Sequence, residues 1–186
     1  MNRLFLCILI VVFATSAFVR AQDYAIAGIE PSATDTPKYN FSLAANKRTP
    51  RAQKWLEVEV KFAAKPAFTD ELTLRYFVLF GDKLLVGEVT HVNIPAGREL
   101  YSIMYLTPKT ISRLLGGGSF SPSVIKNIAV QILNKGQLVA QESWKPAGNP
   151  NWFQNMQQIQ GMLRNKNETP FAPLYWDRYE EIKPAR

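Results

Sequence analysis

The sequence offers one cysteine and one histidine, Cys7 and His91, of the side chains most used for metal binding and nucleophilic chemistry. A single His with no second Cys cannot assemble the usual zinc sites. A serine triad would have to be built on His91, and no Gly-x-Ser-x-Gly turn is present to carry its nucleophile. Gly116 to Gly118 is the only glycine run. It follows a helical pattern instead of preceding one, and no Lys-Ser or Lys-Thr pair comes after it, so it is read as a connector and not as a phosphate cradle. Glu57, Glu59 and Glu88 remain as carboxylates on strands, but the first two alternate as an ordinary outer face. These absences lead us to expect no catalytic residue, no cofactor and no metal. His91 is read as a structural or exposed residue.

Long hydrophobic runs are also scarce. Leu4 to Phe13 is the one unbroken apolar stretch of its kind, behind Met1, Asn2 and Arg3. It is short of the ~20 residues that a membrane-spanning helix needs. Small residues follow, and Val19 and Ala21 suit the positions before a cleavage site, so residues 1–21 are predicted to be a cleaved signal peptide. Cys7 lies inside the run, behind Leu6, which is the wrong place for lipidation. No acidic residue precedes Asp23, so the chain does not read as an ordinary pilin subunit with a retained N-terminal helix. The expected location is exported: periplasm, outer-membrane surface or extracellular space, with membrane contact only through the signal. Cys7 leaves with the signal, so no disulfide supports the mature domain although the compartment permits one.

Charge is modest. The full chain carries a formal +7, which becomes +5 once Arg3 and Arg20 are removed with the signal. That suits solubility as well as an anionic partner. Lys47, Arg48, Arg51 and Lys54 concentrate the positive charge in one loop. They are the candidate set for acidic glycans or other anionic surface polymers. No aromatic or Gly-rich cradle accompanies them, and no nucleic-acid motif is present.

What the sequence has in quantity is strand pattern. Glu71 to Phe80 is aromatic and β-branched, lacks Gly and Pro, and ends at Gly81-Asp82, as a buried strand ends in a turn. Leu56, Val58, Val60 and Phe62 alternate with Glu57, Glu59 and Lys61, the mark of a strand with a core face and a wet face. Residues 63–70, with Pro66, read as a loop. In the next run Val86 and Val89 cannot share a face, and Gly87 between them points to a bulge or a close backbone approach. Pro95 to Gly97 reads as a turn. Leu100, Met104 and Leu106 oppose Tyr101, Ile103 and Tyr105 in the strand after it. Thr107 and Pro108 open a short helix that Gly116 can close. Ile128, Val130 and Ile132 lie in phase before a hairpin turn at residues 134–137. With the N-terminal segments this makes about seven strands, the number of an immunoglobulin-like sandwich. A small barrel is the competing all-β outcome.

The C-terminal part differs in character. The expected organisation is a signal over residues 1–21, an immunoglobulin-like β-sandwich with one crossover helix over 22–146, and a helix plus aromatic tail over 147–186. Trp152, Phe153, Met156, Ile159, Met162 and Leu163 recur near helical spacing, which predicts an amphipathic helix. Phe171, Leu174, Tyr175, Trp176 and Tyr179 follow between prolines. Disordered segments are poor in aromatics, so this tail is expected to dock on its own domain or on a partner.

The order of features, with Ile128 to Ile132, the Gly136 hairpin and the tail Phe171 to Asp177, resembles the small secreted proteins encoded beside type IV pilus assembly genes in mucin-degrading Verrucomicrobia. The resemblance implies an immunoglobulin-like domain exported to the envelope and working with pilus machinery. The sequence therefore suggests a non-catalytic envelope protein that binds a protein partner. Trp152, Phe153, Tyr175, Trp176 and Tyr179 are the candidate contact residues, since Trp and Tyr anchor such interfaces.

Overall fold

The computed structural model describes residues 22–39, 52–118 and 120–184. The signal segment and the basic residues Lys47, Arg48 and Arg51 lie outside them. Seven strands form one hydrogen-bonded sheet. They are β1 (Tyr24–Asp35), β2 (Lys54–Phe80), β3 (Lys83–Leu106), β4 (Ile125–Asn134), β5 (Gln137–Ser143), β6 (Gln158–Gln160) and β7 (Leu163–Asn165). One helix, α1 (Pro108–Leu114), joins β3 to the segment before β4.

The fold is an all-β sandwich built on the long hairpin of β2 and β3. The first half of β2 pairs with β1, and the last part of β3 pairs with β7. The second half of β2 pairs with β4, which pairs with β5, while the start of β3 takes β6 as a parallel neighbour. The hairpin thus contributes one half to each layer, and the sheet turns back on itself where its register shifts, between Phe62 and Phe68. Leu56, Val58, Val60 and Phe62 from one layer meet Leu72, Leu74, Tyr76 and Val78 from the other in a single buried cluster.

The strands run through two segments read as loop and turn. Residues 63–70 continue β2, and Pro95 to Gly97 continue β3. Pro66 falls between the paired positions Ala64 and Phe68, where the ladder skips, so its missing N–H leaves no bond unmade. Asn93, with φ of 56°, marks the place where β3 changes phase. His91 points inward before it, and Leu100, Ser102, Met104 and Leu106 do so after it.

The helix follows its caps. The Thr107 side chain accepts from the backbone N–H of Thr110, and Pro108 occupies the first turn. Gly87 is a close approach and not a bulge. The register runs through it unbroken, and a Cβ there would lie 2.7 Å from Leu163 Cβ. Val86 and Val89 do face opposite sides, and both are buried. Val89 lies in the interlayer core, and Val86 lies under Phe153 on the outer face.

The predicted C-terminal helix does not form. Residues 149–156 make successive turns, with backbone bonds such as Gln154 N–H to Asn151 C=O at 3.0 Å, before β6 and β7 join the main sheet. The apolar residues with helical spacing have different destinations. Phe153 packs on the outer face, while Ile159 and Leu163 pack on the interlayer core. Asn149, Asn151 and Asn155 favour turns, and Gly161, at φ of 73°, reverses the chain between the two short strands. Pairing with the free edges of β3 then satisfies the backbone that a helix would have satisfied internally.

Candidate interaction surface

The outer face of the first layer carries Trp55, Glu57, Glu59 and Lys61 on β2 and Tyr101, Ile103 and Tyr105 on β3. The chain after β7 crosses this face and covers much of it. Asn165 opens a single 3₁₀ turn, Lys166–Glu168, through a reciprocal capping box with Glu168. Thr169 Oγ1 donates to the Lys166 carbonyl at 2.7 Å and accepts from Phe171 N–H at 3.2 Å. Lys166 is buried, which lowers its pKa, and its ammonium donates to the Ala172 carbonyl at 2.7 Å. These bonds deliver Phe171 to the sheet. Its ring stacks on Tyr105 at 4.5 Å and meets Trp55 edge-on at 5.3 Å.

A second anchor lies eight residues on. Tyr179 Oη donates to Glu59 Oε2 at 2.7 Å, and Arg178 donates to both carboxylate oxygens, at 3.0 and 2.7 Å. The Arg178 guanidinium also lies 4.0 Å over the Tyr101 ring. Burial opposes ionisation of Glu59, but the hydrogen bonds from Arg178 and Tyr179 outweigh it and hold the carboxyl below its ordinary value. Beyond this point the backbone pairs with β3. Val92 N–H donates to the Glu181 carbonyl at 2.9 Å, and Lys183 N–H to the Thr90 carbonyl at 2.8 Å.

Between the two anchors the chain is lifted off the sheet. Tyr175 adopts φ of 51°, a left-handed conformation that costs a bulky residue free energy. Its carbonyl accepts from Arg178 N–H at 3.2 Å, closing the turn. The result is a fixed knuckle on which Tyr175 is 64% exposed and Trp176 80% exposed. Below it opens a cleft of about 550 Å³ lined by Thr34, Asp35, Glu57, Tyr175 and Arg178 among others. Burial raises the Glu57 carboxyl above its ordinary value, against a hydrogen bond from Ser32 that favours its charged form.

The sequence-predicted contact residues are therefore divided. Tyr175 and Trp176 face solvent together. Tyr179 is engaged with Glu59. Phe153 is 2% exposed and stacks on Phe77 at 4.0 Å, and Trp152 packs edge-on to it while its indole N–H donates to Ser143 Oγ at 3.2 Å. Lys54 pairs with Asp35 at 3.0 Å.

His91 sits at the foot of the tail. Its Nδ1 bonds the Glu180 carbonyl at 3.0 Å, and its Nε2 lies 2.6 Å from Ser102 Oγ, which accepts from Tyr76 Oη at 2.7 Å. The consistent assignment is a neutral ring with Nδ1–H donating to Glu180 and Nε2 accepting from Ser102. Burial lowers the His91 pKa to about 4 despite the backbone bonds to Glu180 and Glu181. This Ser-His contact is sealed in the interlayer core, with Ser102 fully buried, so it acts as a staple between layers and tail. Sequence reasoning missed it, although Ser102 was legible as the polar residue on the inward face that Leu100, Met104 and Leu106 define. Among the described residues, no three His, Cys, Asp or Glu side chains gather as a metal site, and no helix is long and apolar enough to cross a membrane.

A protein-family profile matches residues 15–186, and the chain belongs to that family. A crystal structure of a protein from Akkermansia muciniphila has the same fold. The TM-score is 0.74 at 24% identity, over 88% of this chain and 94% of that one. No curated protein matches the chain in sequence.

Proposed function

We propose that this is an exported, non-catalytic interaction module of the cell envelope that works beside type IV pilus machinery and grips a protein partner through Tyr175 and Trp176. The observation that carries the reading is the knuckle itself. Two large aromatics stand in solvent on a turn held on one side by the buried Phe171 and on the other by the Arg178 and Tyr179 bonds to Glu59, so little backbone ordering entropy remains to be lost on binding. The likeness to a protein from a verrucomicrobial genus supports the setting. The resemblance to secreted immunoglobulin-like proteins of pilus gene neighbourhoods supports the partner class. The cleft beside Tyr175 supplies the carboxylates of Asp35 and Glu57 and the Arg178 guanidinium for rim contacts.

A photo-crosslinking amino acid placed at Trp176 in cells of the native host tests the reading. We expect adducts with an envelope protein of the pilus apparatus from position 176 and none from the exposed control position Lys126. Equal labelling from both positions, or adducts lacking any envelope protein, would overturn it.

A further inference from the structure

On the opposite layer the outer face carries a different chemistry. The register aligns a polar row across four strands: Gln141 on β5 opposite Gln131 on β4, Gln131 opposite Arg75 on β2, and Arg75 opposite Glu88 on β3. The adjacent row is Ala129, Phe77, Val86 and Gln160. On β6 the side chain of Ile159 turns into the core, which puts Gln158 and Gln160 on the outer side together. Phe153, stacked on Phe77, forms a wall. The concavity between these groups is about 400 Å³ and is lined by Gln131, Gln154, Gln158, Gln160, Arg75 and Glu88 among others.

Three properties of this hollow select its ligand. Gln154, Gln158 and Gln160 are exposed, and no hydrogen bond engages their side chains among the described residues. Each therefore offers a donor and an acceptor to whatever enters. Gln131 is 9% exposed, and its amide nitrogen is committed to Gln141 Oε1 at 2.7 Å. Its carbonyl oxygen takes no partner among those bonds, and because no buried side-chain oxygen or nitrogen among the described residues lacks one, this acceptor is open to solvent. Arg75 and Glu88 are paired with each other across the strands, so the hollow has both signs of charge at its rim and no net field. A charged ligand would gain little there. A ligand whose own groups both donate and accept, and which carries no charge, matches the amides group for group.

We propose that this amide-lined hollow is a second binding site, and that it takes a neutral oligosaccharide through its hydroxyl groups. Hydroxyls and primary amides are each donor and acceptor at once, and a site built from such groups loses affinity sharply for analogues that lack them. The Gln131–Gln141 hydrogen bond and the Arg75–Glu88 ion pair fix this side of the hollow without consuming the free amides of Gln154, Gln158 and Gln160. The site is far in character from the aromatic knuckle, and it stands or falls independently of the pilus reading.

The test is a titration of the mature protein with three neutral probes, N-acetyllactosamine, a cello-oligosaccharide and a malto-oligosaccharide, followed through side-chain amide NMR signals. We expect at least one probe to shift the amides of Gln131, Gln154, Gln158 and Gln160 in a saturable way at millimolar concentration, with little effect of added salt. The variants Q158A/Q160A and Q154A change exposed side chains only. Each should keep the thermal midpoint and weaken binding about tenfold, as expected for one or two lost hydrogen bonds. No shift with any probe overturns the proposal. So does binding confined to sulfated sugars and abolished by salt, binding that shifts Tyr175 and Trp176 in place of the amides, or binding untouched by both variants.

Discussion

His91 shows what one residue contributes to this fold. Its ring is 1% exposed and bridges the core serine, Ser102, and the tail backbone at Glu180. In the unfolded chain it titrates near 6.5, and in the fold near 4. The folded state therefore holds the neutral ring, and its contribution is complete above pH 6.5. As pH falls from there to about 4, the unfolded chain takes up a proton that the fold refuses, so stability drops. Below that the loss levels off. The expected loss from this group is about 3 kcal/mol. Urea unfolding of wild type and H91N across that range should show a steeper decline in the first than in the second. A parallel decline in both would assign the acid lability to carboxylates. Gly87 is the second residue whose identity is forced by a neighbour. A methyl there would meet Leu163 Cβ at 2.7 Å and Met104 Cε at 2.9 Å. The Met104 end can swing away, but Leu163 Cβ is fixed to β7. G87A should cost about 1–3 kcal/mol and raise hydrogen exchange in β7, because over-packing is relieved by moving the less well-held element. Unchanged stability would mean that β7 yields freely.

At the scale of elements, the segment from Phe171 to Tyr179 separates anchor from contact. Phe171 is buried in an aromatic cluster with Trp55 and Tyr105, whereas Trp176 touches little. F171A should cost about 3 kcal/mol and release exchange over residues 166–183. W176A should stay within about 0.5 kcal/mol of wild type, as surface changes do, and should abolish partner capture. Comparable destabilisation by both would remove the distinction between anchor and contact. The same segment shows where sequence reading stops. Aromatics between Pro170 and Pro184 told of docking, but the four of them look alike along the chain. Only the tertiary register decides that Phe171 and Tyr179 turn in and Tyr175 and Trp176 turn out. The strand Leu56 to Phe62 was legible because its outer face carries charge, which leaves a period of two. The start of β3 was legible as a strand but not as a regular one, because Phe153 and Met156 cover its outer face and bury Val86 there as fully as Val89 is buried on the inner face. The C-terminal helix was misread for a related reason. Helical spacing records that residues are buried, not that they are buried on one face, and here Phe153 and Ile159 serve different sides of the sheet.

Taken whole, the molecule is a hairpin sandwich bound by its own C-terminal part. Residues 149–184 cover the outer face of one layer with Phe153 and that of the other with Phe171, supply two strands, and close on His91. A chain ending at Gly148 would uncover Phe77, Leu84 and Val86 on one face and Trp55, Ile103 and Tyr105 on the other. It would also strip both β6 and β7 from β3, leaving its polar backbone edges open, and open edges beside apolar patches drive association. Deletion of this part should therefore give an aggregating or unfolded product, not a stable sandwich that has merely lost a partner. Hydrogen exchange on the intact mature protein gives the finer form of the same prediction. The amides of Glu180 and Lys183, and those amides of β6 and β7 that face β3, should be protected like those of β2 and β4, because they donate to β3. Residues 175–177 should exchange fast by comparison, because their turn faces water. Uniformly fast exchange from 149 to 184 would mean that the tail is held by something other than its own sheet, and the anchors at Phe171 and Glu59 would lose their meaning. Protection that breaks only at the knuckle is the pattern of a surface offered to a partner by a core that does not need one.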